Sequence, residues 1–179
     1  MNIRVIEAGD IADLFDLRAA TRESPYSRDD LRTIGITEES TAARLLTTNR
    51  GWLCESGGTK VGFAIGDGST GEICVVAVLP AFEGRGIGLR LLRAVETWLF
   101  SLGWKELWLW TSSDPKKRAY SFYKSSGWVV SREEVDVVYL TKKAAGEPAG
   151  PEPIMAAMPA GSAESLPVAQ VDQSSSPHP

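Results

Sequence analysis

Histidine is almost missing from this chain: the single copy, His178, stands next to last in 179 residues, inside a stretch rich in Pro, Ala and Ser. A folded Ser/His/Asp or Cys/His catalytic arrangement is thereby excluded, as is a zinc site built on histidine. Any acid or base must be a carboxylate, Tyr, Lys, a thiol or water. Cysteine is nearly as scarce. Cys54 and Cys74 lie in separate apolar, strand-like runs and form no Cys-x-x-Cys, so both are expected to be buried, reduced thiols with no disulfide or metal role. No metal is expected. No apolar run is long enough to span a bilayer, and the N-terminus reads as a strand, not as a charged region followed by an apolar signal segment. These absences predict a cytoplasmic protein with no membrane partner.

Positive charge in excess is also missing. Glu147, Glu152, Glu164 and Asp172 account for the net charge of −4, which leaves residues 1–143 with 19 acidic and 19 basic side chains. A nucleic-acid binder would normally present a basic face, so no nucleic-acid partner is expected. The same four acids fall in a segment, 144–179, that holds seven of the ten prolines and no aromatic, Lys or Arg. Such a segment cannot bury enough apolar surface to offset the entropy of ordering it, and it is expected to be disordered. One folded domain over residues 1–143 remains, of a size that supports a packed core.

Within that domain short strands and helices alternate. Residues 2–7 read as a strand, and Asp10 stands as N-cap to a helix whose apolar face is Ile11, Leu14, Phe15 and Leu17. Ser24-Pro25-Tyr26 breaks it. Ser27 with Asp30 forms a capping-box pattern for a short helix, and Thr37 caps another that carries Ala42, Leu45 and Leu46. Residues 51–55 and 60–66 form a hairpin about Ser56-Gly57-Gly58-Thr59, and residues 72–78 are apolar on both faces, as in a central strand. A helix with Leu91, Leu92, Val95, Trp98, Leu99 and Leu102 on one face runs from Gly88 to Gly103. After it come a strand over 106–111, a helix from about Lys117 to Ser126, and strands near 128–132 and 135–140.

The organising stretch joins the central strand to the long helix: Val78-Leu79-Pro80-Ala81-Phe82-Glu83-Gly84-Arg85-Gly86-Ile87-Gly88-Leu89. Strand, glycine-rich turn and helix in that order aim free backbone N–H groups and the positive end of a helix dipole at an anion, usually a phosphate. No Gly-Lys-Ser/Thr closes the loop as in a P-loop, and Gly84, Gly86 and Gly88 are out of register for a dinucleotide fingerprint. A nucleotide-binding α/β domain is therefore disfavoured.

The loop resembles the acyl-CoA loop of the GNAT superfamily of N-acetyltransferases. Val78 and Pro80 match the end of its strand and Arg85-Gly86-Ile87-Gly88 matches its core, with Glu83 at the position usually held by Gln or Arg. A second stretch, Ala119-Tyr120-Ser121-Phe122-Tyr123 through Gly127-Trp128, resembles the family's Ala-x-x-Phe-Tyr-x-x-x-Gly-Phe/Trp motif at every specified position. Lys116 stands where many members have Asn. The resemblance covers most of residues 2–140.

It implies an α/β (α+β) GNAT fold, a mixed central sheet of six to seven strands with about four helices on both faces. It implies acetyl-CoA as cosubstrate and an amine, on a small molecule or a protein, as acceptor. Gly84, Arg85, Gly86, Ile87, Gly88 and Leu89 would hold the CoA phosphates. Arg85 and Arg90 flank the helix start, and either pairs with phosphate or is solvated. The backbone of Val76 and Val78 would face the pantetheine arm and the oxyanion, at a bulge where the central strand parts from its neighbour. Tyr123 would protonate the departing thiolate, or else pack against the CoA arm. Glu72, at the family's offset for a catalytic glutamate, would act as base, directly or through water, or is a strand-end charge. Tyr26, Asp29 and Asp30 are candidates for a cationic amine or form an exposed turn. A non-catalytic acyl-CoA-binding regulatory module is the alternative. Oligomeric state does not follow, and a homodimer is compatible.

Overall fold

A computed structural model describes residues 1–22, 26–114 and 116–144. The break at Ser24-Pro25 and the acidic segment beyond Ala144 lie outside the described residues. Twelve elements follow in chain order: β1 (Asn2–Val5), α1 (Ile11–Ala19), α2 (Arg28–Thr33), α3 (Glu38–Thr47), β2 (Asn49–Ser56), β3 (Thr59–Asp67), β4 (Glu72–Val78), α4 (Ile87–Ser101), β5 (Glu106–Ser112), α5 (Arg118–Ser125), β6 (Val129–Glu134) and β7 (Val137–Lys143). Short 3₁₀ turns at Ala8–Asp10 and Pro80–Phe82 lead into α1 and into the glycine loop.

The strands form one seven-stranded sheet in the order β1-β2-β3-β4-β5-β7-β6. Every neighbouring pair is antiparallel except β4 with β5, which is parallel and reached through the crossover helix α4. Alternation explains β5: Leu107 and Leu109 point into the core, while Trp108 and Trp110 point out. On one face, Leu91, Leu92, Val95 and Leu99 of α4 are fully buried against Cys54, Val61, Ala64, Leu107 and Leu140, and each such side chain contributes roughly 1.5–3 kcal/mol. Gly66 lets this helix approach, since a Cβ there would lie 2.4 Å from Val95 Cγ1. On the other face, Leu14 and Leu17 of α1 pack with Leu53, Phe63 and Ile65, and Ile11, Phe15 and Leu31 form a smaller cluster with α2.

The helix starts largely follow the sequence pattern. Ser27 and Thr37 each accept the N3 backbone N–H of their helices, from Asp30 and Ser40 at 3.1 Å. Asp10 departs from expectation. It closes the Ala8–Asp10 turn by accepting the Glu7 N–H, and its buried carboxylate takes two bonds from Arg4 (2.6 and 2.9 Å) and an ion pair from Lys60 (2.7 Å). Those cations outcompete the α1 amides, so Asp10 caps nothing in α1. Leu46 and Leu102 depart too: both are exposed, Leu46 near the end of α3 and Leu102 just past the end of α4. Among the described residues no helix is long and apolar enough to cross a membrane.

Candidate active site

β4 and β5 touch at one register pair, Glu72 with Trp108, supported by the Trp108 N–H donating to Gly71 O at 3.2 Å. Beyond that point the two central strands diverge, which opens a V in the middle of the sheet. The cause sits in β4. Ile65 pairs with Val75 and Gly66 with Ile73, so Cys74 is an extra residue, a bulge that bends the strand away. The Leu79 amide donates to Val61 O at 2.9 Å. Along the antiparallel register residues 75, 77 and 79 therefore bond to β3, and the N–H and C=O groups of Val76 and Val78 point into the V.

A cleft of about 1350 Å³ fills this opening, larger than the ~300–1,000 Å³ of most small-molecule sites and roomy enough for two substrates. One wall is the β4 edge from Cys74 to Val78, and the facing wall is Trp110, Thr111 and Ser112 of β5. Gly84, Gly86, Ile87, Gly88 and Leu89 line its upper end. Gly84 and Gly86 have φ of +71° and +74°, and a Cβ at either would meet nothing within 4 Å. Their glycines are required by backbone conformation, and the space beside them is open to a ligand. Gly86 is the N-cap of α4, and helical bonding first reaches its carbonyl, from Arg90 N at 3.1 Å. Among the described residues no backbone acceptor takes the N–H groups of residues 84–89, which makes this helix start a cradle for an anion.

The side chains around the loop resolve the departures seen in the sequence. Glu83 is ion-paired with Arg118 at the start of α5, which neutralises its charge beside the cradle. Arg85 turns away from the cleft: its guanidinium lies 5.0 Å over the Phe82 ring and donates to Ala81 O at 3.0 Å, so only its backbone faces the loop. Arg90 is exposed and outside the cleft lining, whereas Lys116 lines it.

Tyr123 enters the cleft from α5 and is 8% exposed. Its ring packs edge-on against Phe122 and Trp128, with centroids 5.1 and 6.1 Å away. Burial pushes its phenol above the ordinary value, with the Arg18 charge opposing, so the hydroxyl is protonated at neutral pH. A buried link unforeseen in the sequence holds this end of the sheet. Glu96 of α4 accepts from the Trp128 indole (2.8 Å) and from Lys142 of β7 (2.8 and 3.0 Å), and Lys142 also donates to Ser126 O. No periodicity marks it, because its hydrogen-bonded pairs are 16 to 46 residues apart.

Cys74 corrects the expectation of two buried thiols. Cys54 is buried, but Cys74 is open to the cleft, because the bulge turns it out of the core. It still lies deep in the V, where burial pushes the thiol up. Glu72 stands at the closed vertex and does not line the cleft. Burial, with Asp67 nearby, pushes its carboxyl up to about 7. Asp29 and Asp30 are spent on local bonds, with Arg32 and with Ser27, and neither lines the cleft. Tyr26 does line it, stacked with Arg18 of α1, whose guanidinium carbon is 5.1 Å from the ring centroid. Among the described residues no cluster of His, Cys, Asp or Glu is suited to a metal ion.

A sheet split at a bulged central strand, with a glycine-rich helix start at one end of the split, defines a class of CoA-dependent acyltransferase folds. The profile of the Acetyltransferase (GNAT) family matches residues 11–128, and the chain belongs to that family. Among solved structures it is similar to the PaiA N-acetyltransferase of Thermoplasma acidophilum in complex with coenzyme A, with 18% identity over 80% of this chain and 100% of that one and a TM-score of 0.69. An aminoglycoside 6'-N-acetyltransferase complexed with coenzyme A gives 16% identity over 83% and 99%, with a TM-score of 0.67. The ribosomal-protein-S18-alanine N-acetyltransferase of Escherichia coli gives 19% over 82% and 96%, with a TM-score of 0.63. At these identities the likeness is one of fold. No curated protein sequence matches the chain.

Proposed function

We propose that this protein transfers the acetyl group of acetyl-CoA to a primary amine of a small molecule or protein by direct attack. The observation that carries the reading is the V itself. One cleft holds the unbonded amides of residues 84–89, the free edge of β4 at Val76 and Val78, and the phenol of Tyr123.

The loop amides and the dipole of α4 suit the CoA diphosphate, with Arg85 contributing its backbone only. The β4 edge suits the amides of the pantetheine arm, and an N–H of Val76 or Val78 suits the developing oxyanion. Attack by the neutral amine forms the C–N bond, the C–S bond breaks, and the thiolate takes a proton from Tyr123; the nitrogen, left with one proton too many, gives it up to the phenolate, directly or through water, so that a neutral amide, a free thiol and the original phenol result. The ammonium of the acceptor must first lose a proton. Glu72, with its carboxyl near 7, would accept it through water, since it stands back from the cleft at the vertex.

The Glu83–Arg118 pair leaves Glu83 no obstacle to phosphate under either reading, and the phenol of Tyr123 in the same cleft is what favours the enzyme over the non-catalytic alternative. Coenzyme A release from acetyl-CoA, measured against a panel of amines, tests the proposal. Release with at least one amine is expected; saturable acetyl-CoA binding without release on any amine would favour the regulatory module.

A further inference from the structure

The end of the cleft on the α1 face carries an unsatisfied cation. Arg18 of α1 lines the cleft between Tyr26, Cys74 and Tyr123, and among the described residues no carboxylate pairs with its guanidinium. Its Nε is buried and has no hydrogen-bond partner. Burial pulls the guanidinium below its ordinary value without a counter-ion to offset it. A half-buried guanidinium whose Nε has no hydrogen-bond partner and whose charge has no carboxylate costs stability, and it persists most readily where a ligand supplies the missing anion. Arg22, just past the end of α1, adds a second positive charge to the same lining. The acidic residues that line the cleft lie elsewhere. Glu83 is paired with Arg118, Asp114 caps the Lys116 N–H, and Asp136 sits exposed on the turn between β6 and β7.

We propose that the acceptor is a small amino acid whose carboxylate pairs with Arg18 while its amine faces the bulge at Cys74. The inference rests on the acetyltransferase reading and narrows its acceptor. Arg18 lines the same cleft as Tyr123 and Cys74, so an anion paired with it shares that cleft with the reacting nitrogen, as the carboxylate and amine of a small amino acid would. A free carboxylate accepts a guanidinium through two parallel hydrogen bonds, a geometry that a lysine ammonium does not reproduce. Polycationic amines would meet Arg18 and Arg22 as like charges.

The test is CoA release by the full chain with the twenty amino acids, each paired with its carboxamide, and with spermidine. At least one amino acid is expected to exceed its amide by roughly 30-fold or more in kcat/KM, mainly through KM, the scale of losing one partner of a buried charge pair. Arg18→Met should erase that ratio while leaving acetyl-CoA affinity unchanged, and Arg18→Lys should restore part of it. Faster release with the amides or spermidine overturns the amino-acid proposal and leaves the acetyltransferase intact. Equal loss on acid and amide in Arg18→Met also overturns it, since Arg18 would then act on the chemistry. No release with any amine, despite bound acetyl-CoA, refutes the transferase reading itself.

Discussion

Replacing Gly86 with Val separates what the glycine loop does for the fold from what it does for the ligand. At φ +74° a residue with a Cβ adopts the left-handed region, at a cost of roughly 1–2 kcal/mol, and more for a β-branched side chain. Apart from the neighbouring residues in the chain, no protein atom lies within 4 Å of the new Cβ, so the Cβ itself adds no clash to that cost in the free protein. For a domain of this size the loss reads as a fall of roughly 3–8 °C in melting temperature. The side chain does enter the space next to the unbonded amides of residues 84–89, where a diphosphate would approach the backbone. Wild-type protein at acetyl-CoA 100-fold above Kd should gain about 2.7 kcal/mol, and the variant should gain nothing measurable. Thermal unfolding with and without acetyl-CoA reads both quantities. A lowered ligand-free transition together with an undiminished ligand-induced rise would refute the assignment of the loop.

Three further perturbations address other parts of the molecule. Tyr123→Phe should lower turnover by roughly 10²–10⁴-fold, the usual weight of a general acid, with acetyl-CoA affinity within about twofold of wild type; unchanged kcat removes the phenol from proton transfer. Glu72 holds its proton up to about pH 7 in the fold but only to about 4.3 when unfolded, so the native state binds more protons in that window and stability falls as pH rises through it. Glu72→Gln should accordingly match wild type near pH 4 and exceed it by about 1–3 kcal/mol near pH 8 in denaturant titrations, and an equal difference at both pH values contradicts the cause. Glu96→Ala strands the Lys142 ammonium and the Trp128 indole N–H, and should cost about 3 kcal/mol by the denaturant midpoint; Glu96→Gln, which keeps the indole bond, should cost less, and a loss under about 0.5 kcal/mol for Ala would show the link to be idle.

What the chain discloses in one dimension is what depends on neighbours in sequence. The Gly84-x-Gly86 turn, the Ser27 and Thr37 caps, and the run from Ala119 to Trp128 are each local, and each stands in the fold where its pattern places it. Cys74 fails for a definite reason: its run is apolar on both faces and reads as buried throughout, but a one-residue bulge opens the strand at Cys74, and nothing in an apolar run marks which residue is extra. Asp10 fails because Arg4 and Lys60, from two other elements, compete for its carboxylate. Arg18 and Glu96 were invisible because a charged residue on an amphipathic helix is read as solvated by default, and only the packed sheet shows that one faces a cleft and the other the core.

The split in the sheet also carries an energetic argument about when the cleft is complete. Val76 and Val78 present backbone donors and acceptors at the centre of a sheet, where a continuous ladder would have satisfied them, and exchange of those groups with water is the only alternative among the described residues. Opposite them, Arg18 holds a charge with no counter-ion. The two deficits differ in kind: the strand edge lacks neutral hydrogen-bond partners and the guanidinium lacks an anion, so no single ligand chemistry corrects both. A cosubstrate with amide groups suits the first, which lies at the open edge of β4 within the sheet, and a carboxylate suits the second, on the side covered by α1. Under the proposed reading, a cosubstrate at the strand edge and an acceptor carboxylate at Arg18 would each correct one deficit within the same cleft, which Tyr123 also lines.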